Sequence, residues 1–221
     1  MAMQITWLGH AGLSIEQDGY TLVVDPGIFC DQQGMAAALE AADGVIITHE
    51  HFDHFAADPV KAALAKKPQI EVWTNSSVAA QLDGTPATVH TIGDGSTFTA
   101  GGIEVQGYGE WHAPIHRDVP TVRNTGILIG GKVFHPGDAL INPNVPIELL
   151  LVPSHGPWTR TGDLIDYVRE LKPARVSPIH DALLSQIGND FLGVMLSENP
   201  GMGPGTGAPF SRMTLGESFE V

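Results

Sequence analysis

Hydrophobic and polar positions alternate along the first quarter of the chain. Gln4 to Leu8, Leu13 to Gln17 and Tyr20 to Asp25 read as a three-stranded meander, with Asp18-Gly19 as the tight turn of its second hairpin. The pattern then changes. Met35 to Ala42 is a short helix candidate, and Gly44-Val45-Ile46-Ile47-Thr48 is continuously apolar and β-branched, the mark of a strand buried on both faces. Asp58 caps a helix with Pro59 at its first position, and that helix ends before Pro68. Glu71 to Thr74 is a strand, and Ser76 or Ser77 caps a short helix that stops at Gly84.

The middle of the chain is strand-rich. Thr97 to Ala100, Ile103 to Gly107, Gly126 to Ile129 and Lys132 to His135 are strands, turned by Gly101-Gly102 and Gly130-Gly131. Alternation with helices then returns. Glu148 to Val152 is an apolar strand. Leu164, Ile165, Val168 and Leu171 keep helical spacing up to Pro173, and Arg175 to Ile179 is a strand that delivers His180. Phe191 to Leu196 suggests a further helix, and the Gly/Pro-rich stretch from Asn199 to Pro209 a surface loop. No short-period repeat and no linker is visible. The layout is two β-then-α halves packed as one sandwich with helices outside, a single domain over residues 1–221.

Composition narrows the function. A hydrophobic content of 43% supports a sizeable core. The net charge of −14 argues against a nucleic-acid or anionic-membrane surface, although bound divalent cations would offset some carboxylates. Cys30 is the one cysteine, carries no ligand-like spacing, and allows no intrachain disulfide. The N-terminal residues lack the charged and apolar regions of a signal peptide, and no apolar run approaches the roughly 20 residues that span a bilayer. A soluble, cytoplasmic protein is expected.

The chemistry concentrates in Thr48-His49-Glu50-His51-Phe52-Asp53-His54-Phe55, which spaces four metal ligands as His-x-His-x-Asp-His. On an extended chain His49, His51 and Asp53 point to one side, and His54 joins them only if the chain turns. One strand end can then feed two metals, through His49 and His51 on one side and Asp53 and His54 on the other. Further ligand types stand just past predicted strands: His112, Asp138 in Phe134-His-Pro-Gly-Asp, and His180. Strand ends in α/β layers are where ligands and catalytic groups collect. Imidazole with carboxylate suits Zn, Mn, Fe or Ni better than Ca or Mg.

These residues carry a resemblance. The chain is similar to the metallo-β-lactamase superfamily, an αββα four-layer sandwich with a dinuclear metal site between two β-sheets flanked by helices. Within it the chain resembles a small bacterial metal-dependent hydrolase branch that includes the L-ascorbate-6-phosphate lactonases. Trp7-Leu-Gly-His-Ala-Gly-Leu-Ser-Ile, Val24-Asp-Pro, Thr48-His-Glu-His-Phe-Asp-His, His135-Pro-Gly-Asp and Pro178-Ile-His resemble that branch in order. The resemblance implies that His49, His51 and His112 hold one metal, that Asp53, His54 and His180 hold another, and that Asp138 bridges them. It implies two divalent ions, zinc first among them, and a hydroxide activated between them that attacks a carbonyl or phosphoryl centre. Asp53 would also orient that nucleophile or relay its proton. Phe55 after the motif and Ala139 after Asp138 depart from the family's habits, which bears on substrate more than on metal binding.

Several residues keep two readings. His116 in Trp111-His-Ala-Pro-Ile-His rivals His112 as a ligand. His10 faces the cleft or is a hairpin histidine. Asp25 accepts a hydrogen bond from a metal-bound histidine or forms a turn before Pro26. His135 and His155 read as structural or cleft-lining. Arg117, Arg123 and Arg160 are surface residues or substrate-anion partners, and Trp111 and Trp158 are cleft walls or partly buried core. The expected activity is hydrolysis of a small-molecule ester, lactone, amide or phosphoester, with no nucleic-acid or membrane partner and with homo-oligomerisation left open. The alternatives are a phosphodiesterase acting on nucleotides or nucleic acid, a flavin-partnered diiron protein of the same fold, and a metal-binding protein without turnover.

Overall fold

Strands β1 (Gln4–Gly9), β2 (Gly12–Gln17) and β3 (Tyr20–Val24) pair antiparallel in the meander that the alternation predicts. Asp18 (φ 52°) and Gly19 (φ 82°) take the two left-handed positions of its turn. β4 (Gly44–Ile47), β5 (Glu71–Thr74) and β6 (Thr88–Thr91) then add in parallel to β3. Their crossovers carry the helices α1 (Gln32–Ala41), α2 (Ala57–Lys66) and α3 (Ser76–Gln81). This computed structural model describes residues 2–199, 201 and 205–221.

The second half repeats the scheme. β7 (Thr97–Ala100), β8 (Ile103–Tyr108), β9 (Gly126–Ile129) and β10 (Val133–His135) form an antiparallel meander. β11 (Leu149–Pro153) and β12 (Arg175–Ile179) extend it in parallel, with α4 (Thr161–Leu171) between them and α5 (Gln186–Leu196) after them. β13 (Ser218–Glu220) returns to the first sheet beside β1. The result is one sheet ordered β13-β1-β2-β3-β4-β5-β6 and another ordered β12-β11-β10-β9-β8-β7, the αββα arrangement that the resemblance implies.

Strand parity explains why two layers form. Ile46 of β4 and Leu149 and Leu151 of β11 enter the core between the sheets. Their neighbours Val45 and Ile47 pack under α1, α2 and α3, and Leu150 and Val152 pack under α4 and α5. Each central strand therefore buries both faces, and a continuous apolar run is the sequence that does so. Among the described residues no helix is long and apolar enough to cross a membrane.

The local signals shift in places. α1 begins at Gln32, three residues before the expected start, because Asp31 caps it by accepting from the Gly34 N–H at 2.6 Å. α2 begins at Ala57 with no side-chain cap, so Asp58 lies in its first turn instead of capping it. Asn75, rather than Ser76 or Ser77, caps α3 by accepting from the Ser77 and Val78 N–H groups. α5 starts at Gln186 behind Ser185, earlier than its apolar half suggests. β6 and β13 were not expected. In the stretch from Asn199 to Pro209, Pro200, Met202, Gly203 and Pro204 lie outside the described residues, and the chain rejoins the sheet where Phe210 bridges Val176.

Candidate metal centre

β4 delivers the motif. Its last residues lead into Thr48 and His49, both fully buried, and the chain then turns on itself. His54 and Phe55 N–H groups both donate to the His51 carbonyl, at 3.0 and 2.8 Å, and this turn brings His54 back to the strand end. The Asp25-Pro26-Gly27 loop clasps the turn from the β3 side. Ala56 N–H donates to Pro26 O at 2.9 Å and Ile28 N–H to Phe52 O at 2.9 Å. A side chain at Gly27 would strike the Asp53 carbonyl, so only glycine fits there.

The seven residues that the sequence singled out meet at this end of the sandwich. Among the described residues two groups could each hold a metal ion: His49, His51, His112 and Asp138, and beside them His10, Asp53, His54 and His180. Asp138 touches both groups. Its Oδ1 lies 3.1 Å from His54 Nε2, and its Oδ2 lies 3.3 Å from His112 Nε2 and 3.0 Å from His180 Nε2. His180 Nε2 is also 3.2 Å from Asp53 Oδ2, and His49 Nε2 faces His51 Nδ1 at 3.2 Å. His116 lies elsewhere. It is exposed and 3.6 Å from Asp118, outside both groups.

The other ring nitrogens define the tautomers. His54 Nδ1–H donates to Asp25 Oδ2 at 2.7 Å, His112 Nδ1–H to Ala113 O at 2.5 Å, and His180 Nδ1–H to the His155 carbonyl. The Thr48 hydroxyl gives its proton to Asp25 Oδ2 at 2.7 Å, so it accepts from His49 Nδ1–H at 3.1 Å. In each of these four rings Nε2 is the nitrogen turned into the cluster. His54 Nε2, His112 Nε2, His180 Nε2 and Asp138 Oδ1 are all buried with no hydrogen-bond partner. Buried polar atoms without partners are costly. A set that converges within ligand distance has the donor chemistry of a divalent-metal site and fits one.

Electrostatics agree. Burial favours the neutral form of His54, but Asp138 and Asp25 outweigh it and raise its pKa well above the usual value. Burial likewise opposes protonation of His180, yet the adjoining Asp138 and Asp53 carboxylates lift it to about 9. Burial would raise the Asp138 carboxyl, but His54, His112 and His180 hold it well below the carboxylate range. Asp53 is burdened by burial too, and His10 and His180 hold it low. His49, buried and surrounded by His54, His51 and His112 despite Asp138, is pushed well below its usual value. The buried carboxylates thus draw positive charge to this point, and no buried Lys or Arg is among the described residues to supply it.

The remaining residues sort by geometry. Asp25 accepts from Thr48 N–H at 2.7 Å as well as from Thr48 Oγ1 and His54, so it supports the cluster from behind. His10 reaches the cluster, with Nε2 3.2 Å from Asp53 Oδ2. His135 is tied at both nitrogens to backbone, donating to Ala11 O and accepting from Gly137 N–H. The three arginines are engaged elsewhere or exposed: Arg123 pairs with Glu110 and stacks on Trp111, Arg160 pairs with Asp163, and Arg117 is exposed. Trp158 Nε1–H donates to Asp138 Oδ2 at 3.1 Å, so it touches the site more directly than a cleft wall would. Asn124 was not singled out by the sequence. It donates to Pro136 O and accepts from Asp138 N–H, at 3.0 Å each, and fixes the turn that carries Asp138.

Residues 4–180, which include the whole cluster, match the family model of the beta-lactamase superfamily domain. Protein Rv0786c of Mycobacterium tuberculosis is 32% identical, over 83% of this chain and 86% of its own length. A UPF0173 metal-dependent hydrolase of Carboxydothermus hydrogenoformans is 28% identical, over 80% of this chain and 84% of its own. The structure of Igni18, a metallo hydrolase of Ignicoccus hospitalis, superposes with a TM-score of 0.74 at 19% identity, covering 100% of this chain and 99% of that one. By the family match and the relatives together, the chain belongs to the metallo-β-lactamase superfamily.

Proposed function

We propose that this metal-dependent hydrolase works with two divalent ions, zinc foremost, on a small-molecule ester, lactone, amide or phosphoester. His49, His51 and His112 would hold one ion, Asp53, His54 and His180 the other, with Asp138 between them. The observation that supports this most is the convergence of buried, partnerless ligand atoms: His54 Nε2, His112 Nε2, His180 Nε2 and Asp138 Oδ1. When bound, such ions ionise a water for attack and polarise the substrate oxygen. The chain's own groups set the rest. Asp53, at the open side of the group and half-buried, is placed to orient that water and take its proton. Trp158 fixes one oxygen of Asp138 from the loop after β11.

Exposed side chains beside the ligands favour one class of substrate. Phe52 (59% exposed), Trp111 (51%) and Leu183 (59%) are large apolar side chains close to ligands in the chain, and Ile28 (48%) sits against Phe52 from the loop after β3. Arg123 and Arg160 are already paired, with Glu110 and Asp163. This favours an ester or lactone with an apolar substituent over a phosphorylated or nucleic-acid substrate, as does the net charge of −14. The test is protein loaded with excess zinc, desalted and measured by plasma mass spectrometry, then assayed on matched esters, lactones and phosphodiesters. Two ions per chain with turnover on apolar esters or lactones is the expected result. Stoichiometry well below one, or metal-loaded protein inert across the panel, would overturn the proposal.

A further inference from the structure

His10 belongs by position to the second group of ligand-type residues, yet its hydrogen bonds give it a different part. It sits in the tight β1–β2 connection, where Gly9 (φ 97°) and His10 itself (φ 52°) are both left-handed. Such a conformation in a non-glycine residue persists only where the surroundings fix it. Here the His10 carbonyl accepts from the His180 N–H at 3.1 Å and from Trp7 Nε1–H at 3.1 Å. The ring is fully buried, 4.2 Å from the His180 ring and edge-on to Phe29 at 5.2 Å.

The two ring nitrogens are both assigned by their neighbours. The Ala182 backbone N–H, which can only donate, gives its hydrogen to His10 Nδ1 at 3.3 Å. Nδ1 is therefore a bare lone pair, and the proton of the neutral ring lies on Nε2. Nε2–H in turn lies 3.2 Å from Asp53 Oδ2 and donates to it. A protonated Nε2 has no lone pair for a metal. This is the reverse of His54, His112 and His180, whose Nδ1 atoms donate to oxygens and leave Nε2 as the nitrogen that can give a lone pair to an ion.

We infer that His10 is a positioning residue: an Nε2–H donor, held in that tautomer by the Ala182 N–H, which fixes the Asp53 carboxylate for the second metal ion without binding the ion itself. The inference rests on Asp53 being a ligand, as proposed above. His10 also ties together two segments far apart in the chain, since its carbonyl holds His180 and its ring holds Asp53. It thereby sets the separation of two ligands of one ion.

The test uses the full chain stripped of metal and titrated with zinc alone against a chromophoric chelator, comparing the parent with H10Q, H10N and H10F. Gln places an N–H donor where Nε2 stands, Asn keeps only the acceptor toward Ala182, and Phe keeps only the ring. H10N and H10F are expected to retain the first zinc and to bind the second about 10- to 100-fold more weakly, the usual effect of losing a partner that orients a ligand, whereas H10Q stays near the parent. Unchanged second-site affinity in H10N and H10F would overturn the inference. So would an H10Q loss as large as that of H10F, because packing alone would then explain both. Should H10F fail to fold, the H10N and H10Q pair still separates donor from bulk. A parent that takes up no zinc overturns the metal centre itself, and is told apart because the failure appears before any variant. Nitrogen NMR of the zinc-loaded parent gives an independent readout: His10 is expected with Nε2 protonated and Nδ1 bare, and a metal-bound His10 Nε2 would refute the assignment.

Discussion

Asp25→Asn is the sharpest perturbation of the site from outside the ligand set. Asp25 is fully buried, and its Oδ2 accepts two hydrogen bonds at 2.7 Å, from Thr48 Oγ1 and His54 Nδ1. Its Oδ1 accepts a third, from Thr48 N–H at 2.7 Å. Asn has nearly the same shape and keeps the Oδ1 contact. It puts an NH₂ where Oδ2 stood, so two donors now face a donor. Each hydrogen bond to a charged group is worth about 1.5–3 kcal/mol, so losing both would cost about 3–6 kcal/mol. His54 can recover roughly 1 kcal/mol by moving its proton to Nε2 and accepting from Asn at Nδ1, which leaves a net loss of about 2–5 kcal/mol. A domain with about 5–15 kcal/mol of stability stays folded at room temperature unless it lies at the bottom of that range. The functional effect is larger than the structural one. With its proton on Nε2, 3.1 Å from Asp138 Oδ1, His54 donates to Asp138 and has no lone pair for an ion. Wrong-tautomer variants of this kind preserve geometry and lose chemistry. Urea denaturation, zinc titration against a chelator and steady-state kinetics on one preparation should show a folded, less stable protein with the second ion weakened about 10- to 100-fold and turnover lost with it. D25N binding two ions at parental affinity with parental turnover would refute the tautomer argument.

Asp53→Asn should lower turnover by about 10²- to 10⁴-fold, more than it weakens substrate binding, because it removes both a metal-binding charge and the carboxylate placed to take a proton; kcat and KM measured alongside metal content separate the two causes, and a variant with both ions and an unchanged kcat removes Asp53 from the chemistry. Thr48→Val deletes the hydroxyl that accepts from His49 Nδ1 and donates to Asp25. It should weaken the first ion about 10-fold and cost about 1–3 kcal/mol in urea unfolding, and parental values for both would count against the relay. Leu151→Ala opens a void between the sheets, where Leu151 is fully buried. It should cost about 2–5 kcal/mol in the same assay while leaving zinc stoichiometry at the parental value.

The parts of this molecule that were legible in its sequence are those set by local pattern. The two meanders and the buried strands β4 and β11 are readable because parity and apolar runs record which faces are covered. β6 was missed because Thr-Val-His-Thr lies at the sheet edge with no residue fully buried, and β13 because three residues carry no period. The helix starts moved by up to five residues because Asp31, Asn75 and Ser185 cap earlier turns than the apolar stripe suggests. The ligands were legible because His-x-His-x-Asp-His is dense and the others each follow a strand. Trp158 was legible only as a cleft wall or core and Asn124 not at all, since an indole twenty residues from Asp138 and an amide fourteen away acquire their contacts with it only when loops of different strands meet. His10 and Asp25 kept two readings for the same reason.

The supporting hydrogen bonds make one further point about how the site is built. His49 and His54 belong to different groups of ligand-type residues, yet the proton on the far side of each ring ends on the same carboxylate, directly for His54 and through the Thr48 hydroxyl for His49. Asp25 itself is held in a left-handed backbone (φ 45°) by the loop that clasps the motif turn. Its carboxylate therefore orients one ring of each group with charge-assisted bonds, and neither ring can turn without breaking a buried contact to it. Asp138 joins the two groups from the front of the cluster and Asp25 joins them from behind. Two ions held as proposed would share their supporting structure on both sides, and loss of either carboxylate would disturb both halves together.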